Sequence, residues 1–150
     1  MMTLCVRLFL ALLFLLAGWG VYNRWSALGV FAQNPSLEGV LESIKRDPTG
    51  PEYHFLAGLL YRDQIDYLDT AKGRQHLERA LELNPYSWRY WLEMGRTIEL
   101  EEPSEAEAAY RQALELNPNA ASYHWRVANF YIRREEFRES IPHLVNAATL

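Results

Sequence analysis

ALELNP, Ala80–Pro85, returns unchanged as Ala113–Pro118, 33 residues further along the chain. An exact six-residue repeat at that interval marks a structural unit used more than once, and periods of 20–50 residues belong to stacked-repeat architectures. Each copy ends on Asn-Pro. Proline cannot continue a helix and biases the residue before it away from helical backbone, so Asn84-Pro85 and Asn117-Pro118 read as the stops of two helices. Working back from Pro118, the stretch WRYWLEMGRTIELEEPSEAEAAYRQALELNP from Trp88 holds two helical segments around Glu101-Glu102-Pro103. Large and small apolar residues fall three or four apart, or at multiples of that, which places them on one face of each helix.

The same unit can be followed in both directions. In the middle copy the first helix carries Trp91, Met94, Gly95 and Ile98, and the second carries Ala106, Tyr110 and Ala113. Gly95 and Ala106 allow the helices to approach closely, and Trp91 and Tyr110 fill the remaining space. The preceding copy, from Pro51, places His54, Ala57, Gly58 and Tyr61 on its first helix and Gly73, Leu77 and Ala80 on its second. Its turn is longer by about three residues near Asp66-Tyr67-Leu68-Asp69. The following copy, from Ala121, offers His124, Val127, Ala128 and Tyr131, then Ser140, Leu144 and Ala147, with Glu136-Phe137 in the turn. Pro142 falls in the first two turns of its second helix. Upstream, PSLEGVLESIKRDP (Pro35–Pro48) has the pattern of one more second helix without a partner, with Ser36 as its N-cap and Asp47-Pro48 as its stop.

This combination of period, small residues and terminal prolines resembles the tetratricopeptide repeat (TPR) family over about residues 36–150. The resemblance implies an all-α superhelix of three helix-turn-helix repeats, at about 51–85, 86–118 and 119–150, after a lone helix at 36–47. Domain 35–150 would follow an N-terminal segment, 1–34. Stacked repeats normally carry a polar capping element. The chain ends at Leu150 inside a second helix, so the expectation is a longer array or an open end covered by a partner.

The N-terminal segment contains LFLALLFLLAGWGVY (Leu8–Tyr22), fifteen residues without a charge, extendable to Leu4 if Arg7 snorkels to the headgroups. Trp19, Tyr22 and Trp25 suit a membrane interface. The reading taken is a retained anchor over residues 4–24. The alternative is a cleaved signal peptide and a secreted protein, with Gly18-Trp19-Gly20 and Val30-Phe31-Ala32 as imperfect cleavage sites. Arg7 and the α-amino group against Arg24 favour the domain on the extracytoplasmic side. The single cysteine, Cys5, precedes the apolar run and so does not fit a lipoprotein signal. It also excludes an intrachain disulfide framework.

Residues 1–34 hold two arginines and no acid, whereas residues 35–150 hold 13 basic and 19 acidic side chains, a net charge of −6. That balance disfavours nucleic-acid binding, which needs a basic face. No HExxH, CxxC or glycine-rich phosphate loop occurs, so no enzyme activity, cofactor or metal is expected. His54 and His124 stand at the position of Trp91 and read as packing residues. Lying two repeats apart, about 20 Å at roughly 10 Å per helix layer, they would not share an ion. The acidic stretch Glu99–Glu107 lacks the ligand alternation of a calcium loop.

The expected function is therefore binding: a non-catalytic interaction scaffold or assembly factor at a membrane. The alternative is a TPR partner of envelope polysaccharide export or ligation machinery. The resemblance places the ligand surface on the concave face, one position past the packing stripe of each first helix. Those residues are Phe55, Leu59 and Arg62; Arg89, Leu92, Arg96 and Glu99; and Trp125, Asn129, Ile132 and Arg133. Arginine and asparagine there resemble, in part, the TPR subclass that clamps a peptide's C-terminal carboxylate. The expected partner is a protein or peptide, acidic or with a free C-terminal carboxylate.

Overall fold

The computed structural model describes the backbone of residues 2–150 and the side chains of Val6 and residues 8–150. The readings that rest on Cys5 and Arg7 lie outside those side chains. The described chain is all-α: α1 (Met2–Gln33), α2 (Leu37–Arg46), α3 (Pro51–Asp63), α4 (Thr70–Leu83), α5 (Trp88–Ile98), α6 (Pro103–Leu116), α7 (Ala121–Arg133) and α8 (Phe137–Thr149). The long first turn holds a short 3-10 helix, Ile65–Tyr67.

Three hairpins, α3/α4, α5/α6 and α7/α8, form the repeat array. Helix ends fall at the punctuation marks of the sequence. Pro51 and Pro103 open α3 and α6, where a missing N–H costs nothing. Asp69 caps α4 by accepting from Lys72 N–H at 3.0 Å. Asn84 and Asn117 cap the two ALELNP helices. Glu135 closes the last turn in the left-handed region, φ 61°.

The small residues sit where helices cross. A Cβ on Gly95 would lie 2.7 Å from the Tyr110 ring, one on Gly58 would lie 2.7 Å from Leu77 Cγ, and one on Gly73 would lie 3.1 Å from the Gly58 carbonyl. Tyr110, Leu77, Ala80, Ala106 and Ala113 are buried in the same core as Phe55, Tyr90, Leu92 and Val127.

The helix expected to stand alone has a partner. α2 packs on the last turns of α1. Ala27 is fully buried there with Val40, Leu37 and Tyr53. Ser43 donates to the carbonyls of Ala27 (3.1 Å) and Gly39 (2.8 Å), and Arg24 Nε reaches Asp47 at 3.3 Å. Ser36 caps α2 as expected. Residues 23–33 of α1 thus act as the first helix of a further hairpin. From Leu8 to Trp25 the large apolar side chains are exposed, and Leu8–Gln33 is long and apolar enough to cross a membrane or serve as a signal sequence.

Candidate functional site

The first helices α3, α5 and α7 line one side of the array, and the face they share is tied together by charge. Glu93 on α5 accepts from Arg62 of α3 at 2.8 Å and from Arg96 at 2.7 Å. Arg62 also donates to Asp63 at 2.7 Å and to Thr97 Oγ1 at 3.3 Å. Burial works against the Arg62 charge, but the bonds to Asp63 and Glu93 outweigh it and its pKa rises above the ordinary value. Glu99, at the end of α5, accepts from Arg133 of α7 at 2.8 Å and from the Tyr110 hydroxyl at 2.6 Å. Burial first, and then the Glu99 carboxylate, holds that phenol protonated well above its usual range.

Two of the expected ligand residues are not on the surface. Phe55 and Leu92 are each 2% exposed. Phe55 stacks on Tyr90 of the following hairpin, ring centroids 4.7 Å apart. The physical reason is that a first helix packs both on its own partner and on the next hairpin, so its apolar arc is wider than the four-residue stripe. Trp125 occupies the same repeat position on α7, the last first helix, and is 55% exposed. Leu59 is half-buried against the core, and Ile132 is half-buried too. Arg62 is fastened between helices with its side chain only 11% exposed. Arg89 lies 5.0 Å over the Phe55 ring and 3.7 Å from Glu52.

The remaining residues converge. Arg96, Glu99 and Tyr110 on one side and Ser122, Trp125, Arg126, Asn129 and Arg133 on the other line a cleft of about 480 Å³ between the middle and last hairpins. Arg96 and Arg133 are already paired, with Glu93 and Glu99, so among the described residues Arg126 is the cation of this cleft without an ion-pair partner, in a domain of net charge −6. Asn129 turns its amide back to the Trp125 carbonyl at 2.8 Å. Arg126 was not among the expected residues, and it makes no ion pair among the described residues. It lies two positions past the packing residue His124, and the rule of one position past the stripe overlooks it.

His54 and His124 are buried, at 8% and 6% exposure, in keeping with packing residues, but each also meets a second histidine within its own hairpin, a pairing the sequence reading did not include. His54 and His76 approach at 3.2 Å, and His124 and His143 at 3.1 Å, Nδ1 to Nδ1. Tyr61 stacks on His76 and Tyr131 on His143. Burial lowers the pKa of His54, His76 and His143.

Comparison with known proteins agrees on architecture. No established family pattern matches the chain. Tetratricopeptide repeat protein 37 of Xenopus laevis is 29% identical over 86 residues, 55% of this chain. Those residues span 6% of that protein's length. Among solved structures, MamA AMB-1 superposes with a TM-score of 0.65 at 20% identity, covering 85% of this chain and 70% of its own. A MamA fragment from Desulfovibrio magneticus RS-1 gives 0.65 at 15% identity, covering 75% and 62%. At such identities the likeness speaks for the fold. The chain has the tetratricopeptide-repeat fold, an all-helical scaffold of the kind used for protein–protein interaction, preceded by an apolar N-terminal helix that is a candidate anchor.

Proposed function

We propose that this protein is a non-catalytic interaction scaffold, held at a membrane by α1, whose cleft between α5 and α7 receives an acidic or carboxylate-bearing protein segment. The observation that carries this reading is the cleft itself: Arg96, Arg126 and Arg133 gather beside the exposed Trp125. Arginine and tryptophan are the types that dominate binding hot spots, and a guanidinium holds a carboxylate bidentately. Attraction is local, because charges are screened beyond about 8 Å at physiological salt and the domain as a whole is acidic. The test is a fluorescence-anisotropy titration with acidic peptides ending in a free carboxylate or an amide. The pair Arg96→Ala with Arg126→Ala is expected to abolish binding, while Arg89→Ala, outside the cleft, leaves it intact. Equal binding by the double variant excludes the cleft.

Retention of α1 is part of the same proposal. Cleavage after Ala32 would remove Ala27, Phe31 and Arg24, the surfaces on which α2 and Tyr53 rest. A span of nineteen residues from Leu4 would cover about 28 Å at 1.5 Å per residue, close to the roughly 30 Å hydrocarbon core. The domain would lie on the extracytoplasmic side. A mature N-terminus at Val21 or Gln33, read by N-terminal sequencing, excludes the anchor and leaves a secreted protein.

A further inference from the structure

The paired histidines carry an inference independent of the cleft. In each outer hairpin the first-helix imidazole is fixed at its far nitrogen: Nε2 of His54 donates to the Pro48 carbonyl at 3.3 Å, and Nε2 of His124 to the Pro118 carbonyl at 2.9 Å. A carbonyl only accepts, so the neutral ring keeps its proton on Nε2 and turns the Nδ1 lone pair toward the second histidine. A backbone carbonyl on the outer N–H is also the support that orients metal-bound imidazoles. Without an ion, the second histidine closes the contact with its own Nδ1–H. Moving that proton to its Nε2 leaves two lone pairs directed at one point. An ion at the usual 2.0–2.1 Å from both nitrogens would see them at about 100°, between square-planar and tetrahedral values.

The fold does not require imidazoles there. In the middle hairpin the three equivalent positions are Trp91, Ala109 and Ile98. Trp91 Nε1 meets the corresponding carbonyl, that of Pro85, at 2.8 Å. One indole and two aliphatic residues therefore complete the hairpin where the outer ones use two histidines and a tyrosine.

We propose that His54–His76 and His124–His143 are two bis-imidazole sites for a late first-row transition-metal ion, with Cu(II) preferred over Zn(II) and Ni(II). Among the described residues no group of three or more histidine, cysteine or acidic side chains is placed to hold an ion, so water completes each coordination sphere and the ion exchanges readily. The second site fills first. It opens on a cleft of about 330 Å³ in which Glu107 and Glu115 outnumber Arg111, whereas the charge of Arg79 bears on His54.

The test is a titration of the full chain, without affinity tag and in detergent, with copper(II) chloride, followed by calorimetry and electron paramagnetic resonance. Two ions per chain are expected, each showing hyperfine coupling to two nitrogens. Replacing the second site by the middle hairpin's own solution, His124→Trp with His143→Ala and Tyr131→Ile, lowers the stoichiometry from two to one. Unchanged stoichiometry in that variant, or a signal without nitrogen coupling, overturns the proposal. Should the variant not fold, imidazole ¹⁵N spectra of the unaltered chain decide: zinc(II) at two equivalents shifts the Nδ1 resonances of all four histidines, and unmoved resonances overturn it.

Discussion

The middle hairpin and the two outer ones solve one packing problem with different side chains. In α5/α6, Gly95 lets the Tyr110 ring press against the first helix, with Trp91 beside it and Ile98 below. In α3/α4 and α7/α8 the second-helix residue at the Tyr110 position is leucine, Leu77 or Leu144, and His54–His76–Tyr61 and His124–His143–Tyr131 occupy the flank. All three hairpins keep small residues at the helix crossing, while the flank takes two different sets, each of which fills the volume and meets one carbonyl after the preceding helix. The same comparison separates positions that hold the fold from positions free to acquire a function.

The largest effect is expected where the crossing is tightest. Gly95→Leu must push into Tyr110, which is 2% exposed and held by Glu99, and Ala113→Leu enters a site 1% exposed. Each should cost about 1–3 kcal/mol or more, read from thermal or denaturant unfolding. Tolerance of both would mean that the crossing is softer than the glycine geometry implies. Next comes the flank. His143→Ala alone removes a ring and leaves His124 Nδ1 without its partner, for an expected cost of about 1–3 kcal/mol. The triple change to the middle hairpin's Trp, Ala and Ile restores volume and the carbonyl bond and should fall within about 1.5 kcal/mol of wild type. A triple variant less stable than the single one would show that the hairpins are not interchangeable.

The hairpins are also joined in two ways. Arg62 crosses from α3 to Glu93 with its side chain 11% exposed, whereas Arg133 crosses from α7 to Glu99 with 53% exposed. Arg62→Ala strips one cation from a half-enclosed carboxylate that keeps Arg96, for an expected loss of about 2 kcal/mol. Arg133→Ala should cost less than about 1 kcal/mol, because solvent screens that pair. Equal losses would remove the distinction between a fastened first junction and a looser second one, and with it the reason the cleft lies at the second.

How far these features can be read in the sequence depends on whether they repeat in register. Gly95, Ala106, Ala113 and the terminal prolines recur at near-constant intervals, so both the fold and the crossing residues were legible. The histidine pairs were not. The extra turn residues near Ile65–Tyr67 put 22 positions between His54 and His76, whereas 19 separate His124 from His143, and the middle copy holds no histidine to reveal the pairing. The α1–α2 contact was hidden for a different reason. Residues 23–33 continue the same helix with Asn23, Arg24 and Ser26 set among apolar residues, and nothing in that pattern separates buried Ala27 and half-buried Phe31 from the exposed Trp25 and Leu28 beside them. On the candidate site, Arg96, Trp125, Asn129 and Arg133 could be placed on one face from spacing. That Phe55 and Leu92 turn inward follows from packing between hairpins, which a pattern within one hairpin does not contain.

The smallest effect distinguishes neighbours within one turn. Glu101 and Glu102 join α5 to α6, and both are carboxylates of the same kind. Glu101 is exposed, its backbone N–H is satisfied by the Ile98 carbonyl at 3.1 Å, and its side chain makes no ion pair among the described residues. Glu102 meets Arg74 of the preceding hairpin, which holds its pKa below the ordinary value. Glu101→Gln should therefore stay within about 0.5 kcal/mol of wild type, while Glu102→Gln, losing a contact between hairpins, should lower the melting temperature by the larger amount. High salt should narrow the gap, since the Arg74 pair is partly exposed and screened. If Glu101→Gln were the more damaging of the two, the turn would be set one residue away from where it now stands, and the middle hairpin would lose its standing as the reference for the other two.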